Sequence, residues 1–251
     1  MSPPERPSRL SGSSPPERRG GPFSRSRGTP AFGGRPHFSQ HGGRWVGVLA
    51  IVILVLITIN TIVTPSNGLA GIAPGAHMPP FAAPLATGDL QGSVNVATHP
   101  NDGPAKHAAC TVRGPQILNI CQLYEQGPVV LALFIDGSAC NGVLSEMQAL
   151  VRAGGQRFSG VRFAAVAIKG ERSSLRALVR SDGLTFPIGV DSEGVLPGLY
   201  AMASCPQITF AYPGGVVQSK ALLTTPSPAV LRRRVGELVA ASLARGWRPP
   251  R

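Results

Sequence analysis

Four side chains in this 251-residue sequence can carry sulfur chemistry: Cys110, Cys121, Cys140 and Cys205. A cysteine reacts as its thiolate, so its surroundings decide whether it attacks, ligates or stays inert. Four cysteines allow three disulfide connectivities, and spacing alone does not choose among them. Position 143 is Val, so Cys140 has no second cysteine three residues on. The local mechanism in which one thiolate attacks and a near neighbour resolves the mixed disulfide is therefore closed to it. Cys205 immediately precedes Pro206. Asp136 and Glu146 flank Cys140 and could accept protons, although a hydrogen-bonded strand-end Asp and an exposed helix Glu are the commoner roles. His37, His41, His77, His99 and His107 show no metal-ligand spacing with the cysteines, so no metal site is expected. No glycine-rich phosphate cradle precedes a helix, and no cofactor is called for.

The rest of the chain must place these sulfurs. Charged residues are only 14% of the sequence, and Gly (31) and Pro (25) are abundant, so a single well-packed globule is excluded. Residues 1–44 hold eight Arg against two Glu, with eight each of Pro, Gly and Ser and few apolar residues. Such a segment cannot bury enough surface to offset its ordering entropy, so a disordered basic tail is expected. It carries half of the net charge of +12. That excess is scattered among Pro and Gly rather than clustered, and no nucleic-acid partner is expected.

Val46–Val63 reads VGVLAIVILVLITINTIV, without a charge. As a helix it spans about 27 Å, close to a hydrocarbon core of roughly 30 Å. Residues 45–64 are therefore expected to cross a lipid bilayer once, with Trp45 as an interfacial anchor. Arg25, Arg27, Arg35 and Arg44 precede the span, while residues 64–83 contain no Lys or Arg. This asymmetry places the N-terminus in the cytoplasm and the remainder outside the cell membrane. Residues 65–107, rich in Pro, Gly and Ala, are expected as a linker.

Residues 108–247 read as a folded domain. Pro115–Glu125 has helical spacing. Pro128–Asp136 (PVVLALFID) and Val161–Ile168 are apolar runs of strands covered on both faces. Between them Val143, Leu144, Met147, Leu150 and Val151 mark one face of a helix. Arg172–Asp182 predicts a helix ending at Gly183, Phe186–Val190 a short strand, and Glu193–Met202 a helix. Gln207–Tyr212 and Val216–Leu222 predict an antiparallel pair around Pro213-Gly214-Gly215. Ser227-Pro228 caps a last helix with Leu231, Val235, Leu238, Val239 and Leu243 on its buried side. The order predicts an α/β fold: a central mixed sheet flanked by helices, its first crossover parallel and right-handed.

Phe134–Leu150 (FIDGSACNGVLSEMQAL) resembles the active-site region of membrane-anchored thioredoxin-like proteins, the TlpA/ResA or redoxin group. Phe163–Gly215 resembles the second half of that family, and the resemblance runs from about Pro115 to Leu243. It implies a thioredoxin-like fold, with Cys140 as the first active-site cysteine and Pro206 as the family's cis-proline. Val143 stands where the second cysteine belongs, and Ala139 where an aromatic usually stands. The resemblance also implies that Cys205 lies beside Cys140, so that Cys140 attacks from a helix N-terminus, which favours thiolate, and Cys205 resolves.

Cys110 and Cys121 remain, eleven positions apart, and read as a structural disulfide in a compartment that permits one. The alternative is that one of them resolves Cys140. The implied activity is thiol–disulfide exchange on thiols or disulfides of exported proteins. The competing reading is a redox-inactive module holding extended peptides around Pro206. A thiol peroxidase is disfavoured, because Leu133 and Gly137 replace the Pro and Thr of the Pro-x-x-x-Thr-x-x-Cys motif.

Overall fold

The computed structural model describes residues 47–56 and 71–250. They belong to two units divided after residue 57. In the first, residues 47–56 form helix α1, whose apolar side chains are exposed. The expected bilayer span 45–64 lies partly outside the described residues. Among the described residues, no helix is long and apolar enough to cross a membrane.

The second unit is built on strand β3 (Val129–Ile135), whose first six residues are buried. Successive side chains of a strand point to opposite faces, so a wholly apolar strand must be covered twice. Here Val130, Ala132 and Phe134 enter one core, and Val129, Leu131 and Leu133 enter the other. β3 pairs in parallel with β4 (Arg162–Ile168), and β4 in parallel with β5 (Ile188–Asp191). On its other side β3 pairs antiparallel with β6 (Gln207–Ala211). The strand order is therefore β5-β4-β3-β6, the expected mixed sheet.

Helix α3 (Ser138–Gly154) connects β3 to β4 and packs Val143, Leu144 and Met147 into the first core. Helix α6 (Pro228–Ala244) covers the same face through Leu231, Val235 and Leu238. Ser227 caps it by accepting from the Val230 N–H, ahead of Pro228 in the first turn. Helix α4 (Arg172–Ser181) links β4 to β5 and buries Leu175.

The opposite face is covered differently from expectation. Residues 71–107, read as linker, contribute Met78, Phe81, Ala83 and Val94 to the second core. Strand β1 (Ala82–Pro84) pairs antiparallel with β2 (Ile117–Asn119). Arg172 and Arg176 of α4 donate to the carbonyls of Leu85, Ala86 and Gly88 at 2.6–3.1 Å. The Pro/Ala-rich text is thus a fitted cover rather than a spacer, because this face receives no long helix.

Three local elements also differ. The helix expected from Pro115 starts at Ile120 (α2, Ile120–Gln126), because Asn119 caps it by accepting from the N–H groups of Cys121 and Gln122. The helix expected over 193–202 shrinks to α5 (Leu196–Leu199), where Asp191 binds the N–H groups of Gly194, Val195 and Leu196. The second hairpin strand is reduced to isolated bridges, Ala211 to Val217 and Ile208 to Leu222. Its backbone is shared: Val217 accepts from the Gly75 N–H and donates to the Ala76 carbonyl.

Phe81 is fully buried and meets the Tyr200 ring edge-on at 5.8 Å. Replacing Phe81 by Ala should cost about 3–5 kcal/mol of domain stability, read from urea unfolding. A linker residue would cost almost nothing.

Candidate functional site

The site forms where β3 emerges from the core. Its last residue, Ile135, is 50% exposed, the first exposed position of that strand. The chain turns through Asp136 and Gly137 and enters α3, which sets Cys140 in the first helical turn. Gly137 has φ 150°, a conformation that favours glycine. Its carbonyl accepts from the N–H groups of both Cys140 and Asn141 at 3.2 Å. The Asn141 side chain accepts from the Gly137 N–H at 3.2 Å and donates to Asp136 at 3.3 Å. Ser174 of α4 donates to the other Asp136 oxygen at 2.5 Å. Asp136 therefore braces the loop against α4, with both carboxylate oxygens engaged.

Cys205 arrives from the other side of β3. The β3–β6 register pairs Leu133 with Gln207, so two positions further on Cys205 stands opposite Ile135. The Cys205–Pro206 peptide is cis, and Pro206 is buried. The Ile135 N–H donates to Cys205 Sγ at 3.1 Å. Cys140 and Cys205, separated by 65 positions in sequence, are joined by a disulfide with Cα atoms 5.7 Å apart. Both are half-buried at the margin of the first core. Val143, three residues after Cys140, is fully buried in that core with Met147. Glu146 is half-buried and Ala139 exposed.

The other two cysteines form a second disulfide, with Cα atoms 5.3 Å apart. It ties the 3₁₀ turn Ala109–Thr111 to α2 on the opposite face of the sheet. The Asn119 amide holds the same turn by donating to the carbonyls of Ala109 and Val112, each at 2.8 Å. The Tyr124 hydroxyl lies 3.8 Å from Cys110 Sγ, and burial, aided by the Glu125 charge, holds its phenol above the ordinary tyrosine range. The sheet separates this bridge from Cys140 and Cys205.

Among the described residues no cluster of His, Cys, Asp and Glu could hold a metal ion. A cavity of about 580 Å³ is lined by residues between Ser93 and Ala105 and touches neither Cys140 nor Cys205. Sequence reasoning did not find Ile135, Asn141 or Ser174. Asn141 beside a glycine turn is a readable capping signal; a backbone donor such as Ile135 leaves no mark in sequence.

No protein-family model matches this chain, and no curated protein matches it. Solved structures do. A proposed protein disulfide isomerase from Bacteroides thetaiotaomicron is similar at TM-score 0.51 and 14% identity, over 71% of this chain and 98% of its own. A conserved uncharacterised protein from Geobacillus kaustophilus is similar at TM-score 0.51 and 14% identity, over 68% and 86%. The architecture is that of a thioredoxin-like α/β fold.

Breaking the second disulfide by Cys121→Ser should lower stability by about 3 kcal/mol, the chain-entropy value for a loop of this size. Thermal unfolding measures the loss. Mapping of non-reduced peptides should still find Cys140 linked to Cys205.

Proposed function

We propose that this chain is a membrane-tethered thiol–disulfide oxidoreductase acting outside the cell. The observation that carries the reading is the Cys140–Cys205 bridge, half-buried where the central strand reaches the surface. Structural disulfides in cores are inert, whereas a bridge within reach of an incoming thiolate can exchange. The thioredoxin-like fold supports the reading, as does the similarity to a proposed disulfide isomerase.

Cys140 forms the mixed disulfide. It stands in the first turn of α3, at the end of the helix whose dipole favours negative charge. Cys205 resolves: its thiolate attacks Cys140 Sγ, the Cys140–client bond breaks, and the client sulfur leaves with the electron pair. The client is then reduced by two electrons, and the two cysteines are oxidised to the bridge. The same steps run backwards when client thiols are oxidised. This division of labour replaces Cys-x-x-Cys by a pair drawn from α3 and from the residue before β6.

Clients are thiols or disulfides of exported proteins. That choice rests on sequence: the uncharged run at residues 45–64 serves as a single-pass anchor in the lipid bilayer. Arginine asymmetry across it places the N-terminus in the cytoplasm and residues 65–251 outside. Pro206, itself buried, directly follows the reacting Cys205.

The full chain with Cys205→Ser should capture a disulfide-bearing peptide covalently at Cys140, and the adduct should persist because its resolving sulfur is gone. Cys140→Ser should capture little, and both single variants should lose turnover of a model disulfide. Absence of an adduct at Cys140, together with no exchange above background in the parent chain or either variant, would leave a redox-inactive peptide-binding scaffold. Mass spectrometry of alkylated peptides reads the outcome.

A further inference from the structure

The two sulfurs of the bridge stand in different surroundings. Cys205 Sγ accepts the Ile135 N–H at 3.1 Å. At Cys140 the N–H groups of Cys140 and Asn141 both go to the Gly137 carbonyl. The Asn141 amide group is engaged with Gly137 and Asp136. A thiolate at Cys140 therefore receives the general field of the helix end. A thiolate at Cys205 receives a direct, charge-assisted hydrogen bond, which is the stronger form of stabilisation.

The position of that donor is set by the sheet. Ile135 lies two register positions beyond the last β3–β6 pair, so its N–H faces the place where a strand partner would continue. A side-chain sulfur occupies that place instead. The donor is fixed by the ladder behind it and needs no reorganisation when charge arrives on sulfur.

We infer that the Ile135 N–H is the thiolate-binding donor of the site, making Cys205 the sulfur on which negative charge collects and Cys140 the sulfur that exchanges with the client. This rests on the oxidoreductase reading and assigns its direction of attack. When a client thiolate bonds to Cys140 Sγ, the Cys140–Cys205 bond breaks. Its electron pair departs on Cys205 Sγ, where the Ile135 N–H receives it. A second client thiol gives its proton to solvent and attacks the client sulfur, releasing Cys140 as thiolate. The client gains a disulfide and loses two electrons, which the two cysteines hold. In the reverse direction the same donor keeps Cys205 ionised and ready to resolve.

The test uses the full chain carrying Cys140→Ser, in which Cys205 titrates alone. Its thiolate is followed by ultraviolet absorbance, and the Ile135 amide by nitrogen-15 NMR. The Ile135 amide shift should follow the Cys205 titration, with a midpoint below the ordinary thiol value of about 8.5. Adding Ile135→Pro, which removes this N–H at the last residue of the strand, should raise the midpoint by about one unit or more, and Ile135→Val should not. An Ile135 amide indifferent to the Cys205 titration overturns the inference, even if the proline variant fails to fold. So does a midpoint unmoved by the proline. Capture of a disulfide peptide at Cys140 in the Cys205→Ser chain stands apart from both readouts. If capture fails, the oxidoreductase reading falls; if capture succeeds and the amide does not respond, only the donor assignment falls.

Discussion

Strand β3 has no solvent face along six of its seven residues, and that double burial organises the domain. Each face of the strand requires its own cover. One is supplied by α3 and α6, the other by residues 78–94 with α2 and Tyr200. Parallel and antiparallel neighbours on its two edges remove its unpaired backbone groups. The constraint relaxes only at Ile135, where the strand reaches the surface. There the chain can present a half-buried sulfur pair on a rigid frame, since the atoms just behind it cannot move without opening a core.

The two disulfides differ in place more than in kind. Cys110–Cys121 sits on one side of the sheet, with Cys121 almost wholly buried. It secures the segment that enters the second core. Cys140–Cys205 sits at the margin of the other core and joins a helix start to the approach of a strand. Val143 carries no sulfur and is fully buried. One helical turn beyond Cys140 the side chain points into packed apolar surroundings, where a thiol would act as a small hydrophobe.

Much of this was legible in the residues. The apolar runs at 128–136 and 161–168, the spacing of the helix after Cys140 and the Ser227-Pro228 cap each impose a strong local preference, and the structure follows them. The segment 71–107 was not legible, because Pro, Gly and Ala read alike in a spacer and in a close-fitting cover. Its burial depends on Arg172 and Arg176, which hold carbonyls more than eighty residues away in sequence. The shortened helix at Leu196–Leu199 and the interrupted hairpin have the same origin. Asp191 and residues 75–77 compete for backbone groups that local propensity assigns elsewhere. Cys205 became visible through its proline. The donor opposite it is main chain and depends on register alone.

A Cys-x-x-Cys bridge closes a ring of four residues and scarcely restricts an unfolded polypeptide. The bridge here spans 65 positions, enclosing β4, α4 and β5. In the chain-entropy model a ring of that size withdraws about 4 kcal/mol of freedom from the denatured ensemble. Oxidation state and fold integrity are therefore linked through one thermodynamic cycle. Were the bridge reduced in the proposed exchange, the unfolded chain would regain that freedom, and the dithiol form would be the less stable of the two.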